Sequence, residues 1–231
     1  MFKLRSTRKE LLDQEEIPEH DLFQNLRELD FINQWLGGYQ ISFSALRSII
    51  QPTMHYSFTD IGCGAGDTLK RIKKWRTKQG YSIDLHGVDL KPICIKYAES
   101  NPENTGIRFI CDDYRNMYNH IKKIDIIHAC LFCHHLTENE ILTLIRFAVQ
   151  NKSILVINDL ERNRLAYYSI KVLTYFFSKS YLVKNDAPLS VLRGFKKKEW
   201  ISILEKSVAV HYSVKNKWAF RHLIIVDGTR E

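Results

Sequence analysis

The 231-residue chain lacks any apolar run approaching the ~18 residues that cross a bilayer, so no membrane-spanning helix is expected. Its N-terminal stretch lacks the apolar core of a leader peptide, which points to the cytoplasm. Cysteine is scarce and odd in number: Cys63, Cys94, Cys111, Cys130 and Cys133 read as free thiols in a reducing compartment rather than a disulfide framework. Composition is otherwise ordinary, at 45% hydrophobic and 26% charged residues, enough to bury the core of one domain with an extension. Also missing is the third glycine of a dinucleotide fingerprint: Gly62-Cys-Gly64-Ala-Gly66 is followed by Asp67.

What is present centres on that glycine turn. Phe58-Thr-Asp-Ile61 reads as a short strand, and Gly62, Gly64 and Gly66 remove the side chains that would stop a ligand approaching the backbone. A helix can start at Asp67-Thr68 and run through Leu69, Ile72 and Trp75, its N-terminus offering free N–H groups. Acidic Asp60 and Asp67 on either side of the glycines would repel a pyrophosphate. They suit a ligand with an amino group and a sulfonium, which is S-adenosylmethionine. Four more strands are expected over 83–89, 107–111, 124–130 and 153–158, alternating with helices. Asp89 ends the second, where an acidic residue can hold two ribose hydroxyls. Asp112-Asp113 ends the third, where a carboxylate can accept from an adenine amino group. The pattern predicts an α/β fold, doubly wound around a mostly parallel Rossmann-like sheet, with ligands at the carboxyl ends of the strands.

With those residues in order, positions 56–226 resemble a class I S-adenosylmethionine-dependent methyltransferase. The resemblance implies a seven-stranded sheet closed by an antiparallel C-terminal hairpin, expected near 208–214 and 218–226. It also implies that Gly62, Gly64 and Gly66, with Cys63, border the methionine and ribose, while Asp60 meets the methionine amino group. Asp89, with Leu90, holds the ribose, and Asp112 or Asp113, with Tyr114, meets the adenine. Cys130 lies beside the methionine moiety. No metal is expected: Cys130-Leu-Phe-Cys133-His134 matches a haem-attachment motif without an export signal. Cys130, Cys133, His134 and His135 are too crowded to close a zinc tetrahedron, with no second ligand pair elsewhere.

Two regions flank this domain, which is expected to span 53–231. Residues 1–52 read as a helical extension, with Leu22, Leu26, Leu29 and Leu36 at helical spacing, a stop at Gly37-Gly38 and a second helix over roughly 42–50. Phe31, Trp35 and Tyr39 are candidates for a lid over the cofactor or for core packing. The acidic residues between Glu10 and Asp30 read as a solvated face. An insertion over about 160–200 carries Tyr167, Tyr168, Tyr175, Phe176 and Phe177, candidate walls for an apolar or aromatic substrate, with membrane-surface contact through Lys171, Lys179 and Lys184 as another reading. This insertion resembles methyltransferases that tailor quinones, phenols and polyketides.

The expected reaction is in-line transfer of a methyl group to a small acceptor, a hydroxyl oxygen being favoured. His134 or His135, after the fourth strand, can take the acceptor's proton, and Asp159 and Glu161 at the end of the fifth strand are the next candidates. Arg162 and Arg193 are candidates to orient an acidic substrate group, or else solvated. The net charge of +8, with Lys70, Arg71, Lys73, Lys74, Arg76 and Lys78 on one helix, raises an RNA methyltransferase as the alternative. Against it, the fourth strand exit lacks the Asn/Asp-Pro-Pro-Tyr/Phe motif that grips a flipped base, and no RNA-binding module is appended. A non-catalytic S-adenosylmethionine-binding protein is the third reading. The acceptor's identity and the oligomeric state are left open.

Overall fold

The structure is a computed structural model that describes residues 2–14 and 16–230. Seven strands form one sheet: β1 (His55–Ile61), β2 (Ser82–Asp89), β3 (Arg108–Cys111), β4 (Ile126–Cys130), β5 (Ile154–Leu160), β6 (Tyr212–Lys217) and β7 (Arg221–Asp227). Their spatial order is β3-β2-β1-β4-β5-β7-β6. The first five are parallel, and β7 runs antiparallel between β5 and β6. The order reverses between β1 and β4, the place where open α/β sheets bind ligands.

Helices cover both faces because the central strands are apolar on both. The helices are α1 (Glu19–Trp35), α2 (Gly38–Ile49), α3 (Asp67–Gln79), α4 (Pro92–Ser100), α5 (Met117–His120), α6 (Glu138–Gln150), α7 (Arg164–Phe177), α8 (Tyr181–Arg193) and α9 (Lys197–Lys206). One core joins Leu46 of α2, Leu69 and Ile72 of α3 and Ile95 of α4 to Phe58, Leu85, Ile126 and Val156. The opposite core joins Met117, Ile141, Leu144, Trp200 and Ile203 to Ile61, Val88, Ile127, Ile157 and Ile224. Neighbouring residues such as Ile126 and Ile127 thus point to different layers, as the pleat requires. Each fully buried aliphatic side chain here contributes about 1.5–3 kcal/mol of burial free energy.

Several boundaries differ from the sequence expectation. Gly37, at φ +70°, ends α1, but Gly38 opens α2 four residues earlier than expected. A second helix of the insertion, α8, carries Pro188 in its interior, which disguises it in the sequence. The last hairpin is shifted, with β6 beginning at Tyr212, because Ser207 to His211 form a bend after α9 instead of strand. The extension is also part of the sandwich: α2 packs into the same layer as α3 and α4.

A buried polar chain fastens α1 and α2 to the sheet. One Asp60 oxygen lies 2.7 Å from His128 Nδ1, and His128 Nε2 lies 2.8 Å from Ser42 Oγ. Asn158 donates to Ser42 Oγ and to the Gly38 carbonyl, while Arg221 donates to Asn33. Every one of these side chains is buried. An orphaned member would cost about 1–3 kcal/mol, so the chain fixes α2 in register.

Candidate active site

The candidate cofactor edge is built from β1, β2 and the turn between β1 and α3. Gly62, Gly64 and Gly66 have φ of +64°, +52° and +74°, left-handed values that L side chains resist. The N–H groups of Gly62 and Cys63 donate to the Val88 carbonyl at 2.8 and 3.1 Å, fixing the turn against the end of β2. Asp89 completes this arrangement. Its two oxygens accept from Gly64 N–H and Lys91 N–H, each at 2.9 Å. Burial raises its pKa against the pull of those two N–H groups. A carboxylate offers about four lone-pair positions, so two are left for a pair of hydroxyls. The turn and the acid therefore fit a ribose-bearing ligand.

Phe132 closes this edge from the β4 side. Leu131 leaves the strand at φ +54°, and the next ring packs on the glycine turn so closely that a Cβ on Gly62 would lie 2.3 Å from it. Tyr114, buried, meets the Phe132 ring edge-on at 5.4 Å. From above, Leu22 and Leu26 of α1 cluster with Ala65 and Cys94. Phe31 and Trp35, the lid candidates, are exposed on the outer side of α1, and Tyr39 is buried with its hydroxyl on Asp30. Of the remaining cofactor candidates, Leu90 is exposed, Cys63 is buried and Cys130 is half-buried. Burial pushes both thiols up, that of Cys130 to about 12. Asp112 accepts from His120 and Asn116, and Asp113 from Arg115. His120 beside it holds Asp112 down at about 2, and Arg115 likewise lowers Asp113.

The second edge lies at the ends of β4 and β5. Asp159 Oδ1 lies 2.7 Å from His134 Nδ1, and Oδ2 accepts the His134 N–H at 2.8 Å. Burial works against ionised Asp159, yet His134 and these bonds outweigh it and its pKa is lowered. His134 is 3% exposed. Its Nε2 faces Glu10 at 3.7 Å, and His135 Nε2 faces the other Glu10 oxygen at 3.8 Å. His135 Nδ1 is 3.3 Å from Asp13. Burial pushes the Glu10 carboxyl up to about 7. The three predicted catalytic residues are thus brought together, with two carboxylates from the N-terminal segment that the sequence reading left out.

Residues 5–13 lie across this edge as a strap. Arg5 donates to the carbonyls of Arg193, His134 and Leu136, and its guanidinium stacks on Phe195 at 3.7 Å. The Leu11 and Leu12 N–H groups donate to Asp186, and Ser190 donates to Glu10. Glu10, expected on a solvated face, is 4% exposed. Glu28 of the same acidic stretch accepts from the Lys179 and Ser180 N–H groups ahead of α8. Arg162 and Arg193 are neither solvated nor free for a substrate. Arg162 pairs with Glu199, and Arg193 donates to the carbonyls of Arg8, His134 and His135. The sequence signal for Glu10 is its place, three residues ahead of Asp13 across Leu11-Leu12.

The predicted aromatic walls do not enclose a cavity. Tyr168, Tyr175, Phe176 and Phe177 are exposed on α7, whose buried face is Ala166 and Thr174, and Tyr167 packs on Phe2. Nor is α3 an open basic face. Lys70 pairs with Asp67, Arg71 with Asp30 and Lys74 with Glu103, and Lys73 donates to two carbonyls. A cleft of about 290 Å³ between α1, α2 and α3 is lined by Gln34, Tyr39, Phe43, Arg71 and Lys74, of which Tyr39 is a lid candidate and Arg71 and Lys74 belong to the basic helix. No helix of the described residues is long and apolar enough to cross a membrane.

The sheet order, the antiparallel last strands and the glycine turn facing Asp89 define a class I S-adenosylmethionine-dependent methyltransferase fold. Residues 58–150 match the methyltransferase-domain family. No curated protein matches the chain in sequence. Among solved structures, it is similar to the plantazolicin methyltransferase BpumL in complex with SAH, at 19% identity and a TM-score of 0.65, over 90% of this chain and 89% of that one. It is also similar to human N-acetylserotonin methyltransferase in complex with SAM, at 14% identity and a TM-score of 0.61, over 91% of this chain and 56% of the other. A SAM-dependent methyltransferase from Aquifex aeolicus gives 14% identity and a TM-score of 0.58, over 91% and 98%.

Proposed function

We propose that the protein transfers a methyl group from S-adenosylmethionine to a small, apolar or aromatic acceptor, at a hydroxyl oxygen. The single observation that carries this reading is the Asp89 carboxylate, locked to the glycine turn by Gly64 N–H at the switch point of the sheet. Asp89 would hold the ribose hydroxyls, the turn would admit the methionine chain, and Asp113 would meet the adenine. The bound cofactor supplies an electrophilic methyl group. The chain's own part is to align an acceptor oxygen with it and to remove the acceptor's proton. That second task falls to the cluster of His134 and His135, backed by Asp159, Asp13 and Glu10. Phe132, two residues ahead of His134, packs on Gly62 and so joins the two edges. Support for a small acceptor comes from α3, whose cations are mostly spent on internal partners.

The test is methyl-labelled S-adenosylmethionine with the purified protein and an extract of its own host, followed by organic extraction and nucleic-acid precipitation. Label in the organic phase is the expected result. Label in an RNase-sensitive precipitate overturns the small-molecule reading, and intact cofactor binding without transfer to any fraction overturns catalysis.

A further inference from the structure

The strap changes what the two histidines can do. In the sequence they stand crowded beside two cysteines, and no second ligand pair is apparent elsewhere. In the fold Cys133 is turned into the core, whereas Glu10 arrives from more than a hundred residues away and faces both imidazoles. We propose that Glu10, His134 Nε2 and His135 Nε2 form a binding site for one divalent cation of the zinc class, with a further coordination position open on the His135 side.

Three observations carry this. The first is distance. Donors held about 2.0–2.2 Å from one tetrahedral ion stand roughly 3.4 Å apart. The Glu10 oxygens lie 3.7 and 3.8 Å from the two Nε2 atoms, too long for hydrogen bonds yet a small adjustment from coordination, and one ligand atom from each of the three residues falls within 4.8 Å of the others. The second is the outer shell. Metal-binding histidines almost always direct their other nitrogen at a carboxylate or carbonyl. Here His134 Nδ1 meets Asp159 and His135 Nδ1 meets Asp13, so both rings are aimed with Nε2 toward the same acid. The third is charge. The carboxyl groups of Glu10, Asp13, Asp159 and Asp186 gather here against two guanidinium groups, those of Arg5 and Arg193, surroundings that favour a bound cation. Glu10 also accepts from Ser190 at 2.8 Å and lies 3.8 Å from Arg193 Nε, contacts that hold its carboxylate in place for the ion.

Three protein ligands with a partly exposed histidine, 24% at its side chain, leave room for one more oxygen ligand. This deepens the proposed function, on which it rests only for the ion's role: with the ion bound both imidazoles are ligands rather than bases, and the fourth ligand would be the acceptor's hydroxyl, which the ion acidifies and whose proton passes to solvent water on the exposed His135 side. Binding itself is independent of that role.

The decisive experiment titrates chelator-treated full-length protein with Co²⁺ and follows its visible d–d absorption, then displaces it with Zn²⁺. One ion per chain, displaced by Zn²⁺ and without a thiolate charge-transfer band, is expected. Glu10→Gln and His135→Ala should each weaken it at least about tenfold. S-adenosylhomocysteine affinity, measured on the same samples, should stay within twofold and so report that each variant is folded. A thiolate band, a stoichiometry below one ion, or unchanged affinity in both variants overturns the site. Failure of the wild-type protein to bind S-adenosylhomocysteine would instead overturn the proposed function, and leaves the metal titration standing.

Discussion

The two edges of the site are assembled by different means. The cofactor edge is local: the turn 62–66 and Asp89 are at most 25 residues apart where they bond. The edge proposed for the acceptor is gathered from four stretches of the chain, 5–13, 134–136, 159 and 186–193, with Arg5 bonding across 129 residues and Leu11 across 175. At the first edge backbone shape does the work, through glycines that only a left-handed turn requires. At the second, side-chain charge does it, through ions removed from water and satisfied by one another and by backbone groups. The first edge should therefore tolerate a change of charge elsewhere but no added atom, and the second the reverse.

The largest effect is expected at Asp89. Asp89→Ala removes the acid and orphans the Gly64 and Lys91 N–H groups. Losing charge-assisted bonds of this kind costs about 3 kcal/mol, on the order of a 100-fold loss in S-adenosylhomocysteine affinity by calorimetry. An unchanged affinity would break the ribose assignment. Next comes the anchor of the strap. Arg162 is buried and bonds the Phe2 and Lys3 carbonyls as well as Glu199. Glu199→Gln leaves that guanidinium without its counter-charge and should cost about 3 kcal/mol in chemical denaturation. Burial opposes ionised Glu199, but Arg162 wins and the folded pKa is lowered. The sign follows: stability from this group is present above the unfolded value near 4.5 and is lost as pH falls through the folded one. The gap between wild type and variant should accordingly shrink below pH 4.5, and a gap that widens there contradicts the assignment.

Gly62→Ala tests the backbone side of the comparison. A left-handed alanine costs about 1–2 kcal/mol before its Cβ meets Phe132, and thermal unfolding should fall by several degrees. Adding Phe132→Ala should return the steric part and not the conformational one. The smallest effect is expected on α7. Phe177 is 80% exposed, so Phe176→Ser and Phe177→Ser should each move folded stability by less than about 0.5 kcal/mol. A larger loss would mean that this face is covered in solution, and a rise in acceptor KM would place it in the substrate path.

The contrast also explains what was legible in the sequence. Strand endings, the glycine turn and Asp89 follow from neighbours in the chain, where period and turn chemistry are local properties. His134 and Asp159 could be nominated from strand ends alone, and the fold joins them. Glu10 and Asp186 could not, because nothing near a surface-type residue in sequence announces that a distant segment will bury it. Arg162 and Arg193 escape the sequence for the same reason, and α8 is hidden by an interior proline that argues for a break its flanking packing overrides. His128 within an apolar strand did leave a trace: a polar residue there demands partners, which Asp60 and Ser42 supply.

The strap has a consequence for the order of events in folding. Ser6 bonds Leu192, and Arg5 reaches the carbonyl of Arg193, 188 residues further along. Residues 5–13 thus emerge from the ribosome long before their partners exist, while the glycine turn can close on β2 as soon as residue 91 is made. Contacts of such long range form late because the loop they close must first be ordered. The protein should pass through a stage with its cofactor edge formed and its acid–histidine cluster still open to water, a half-built site in which binding precedes any capacity for chemistry.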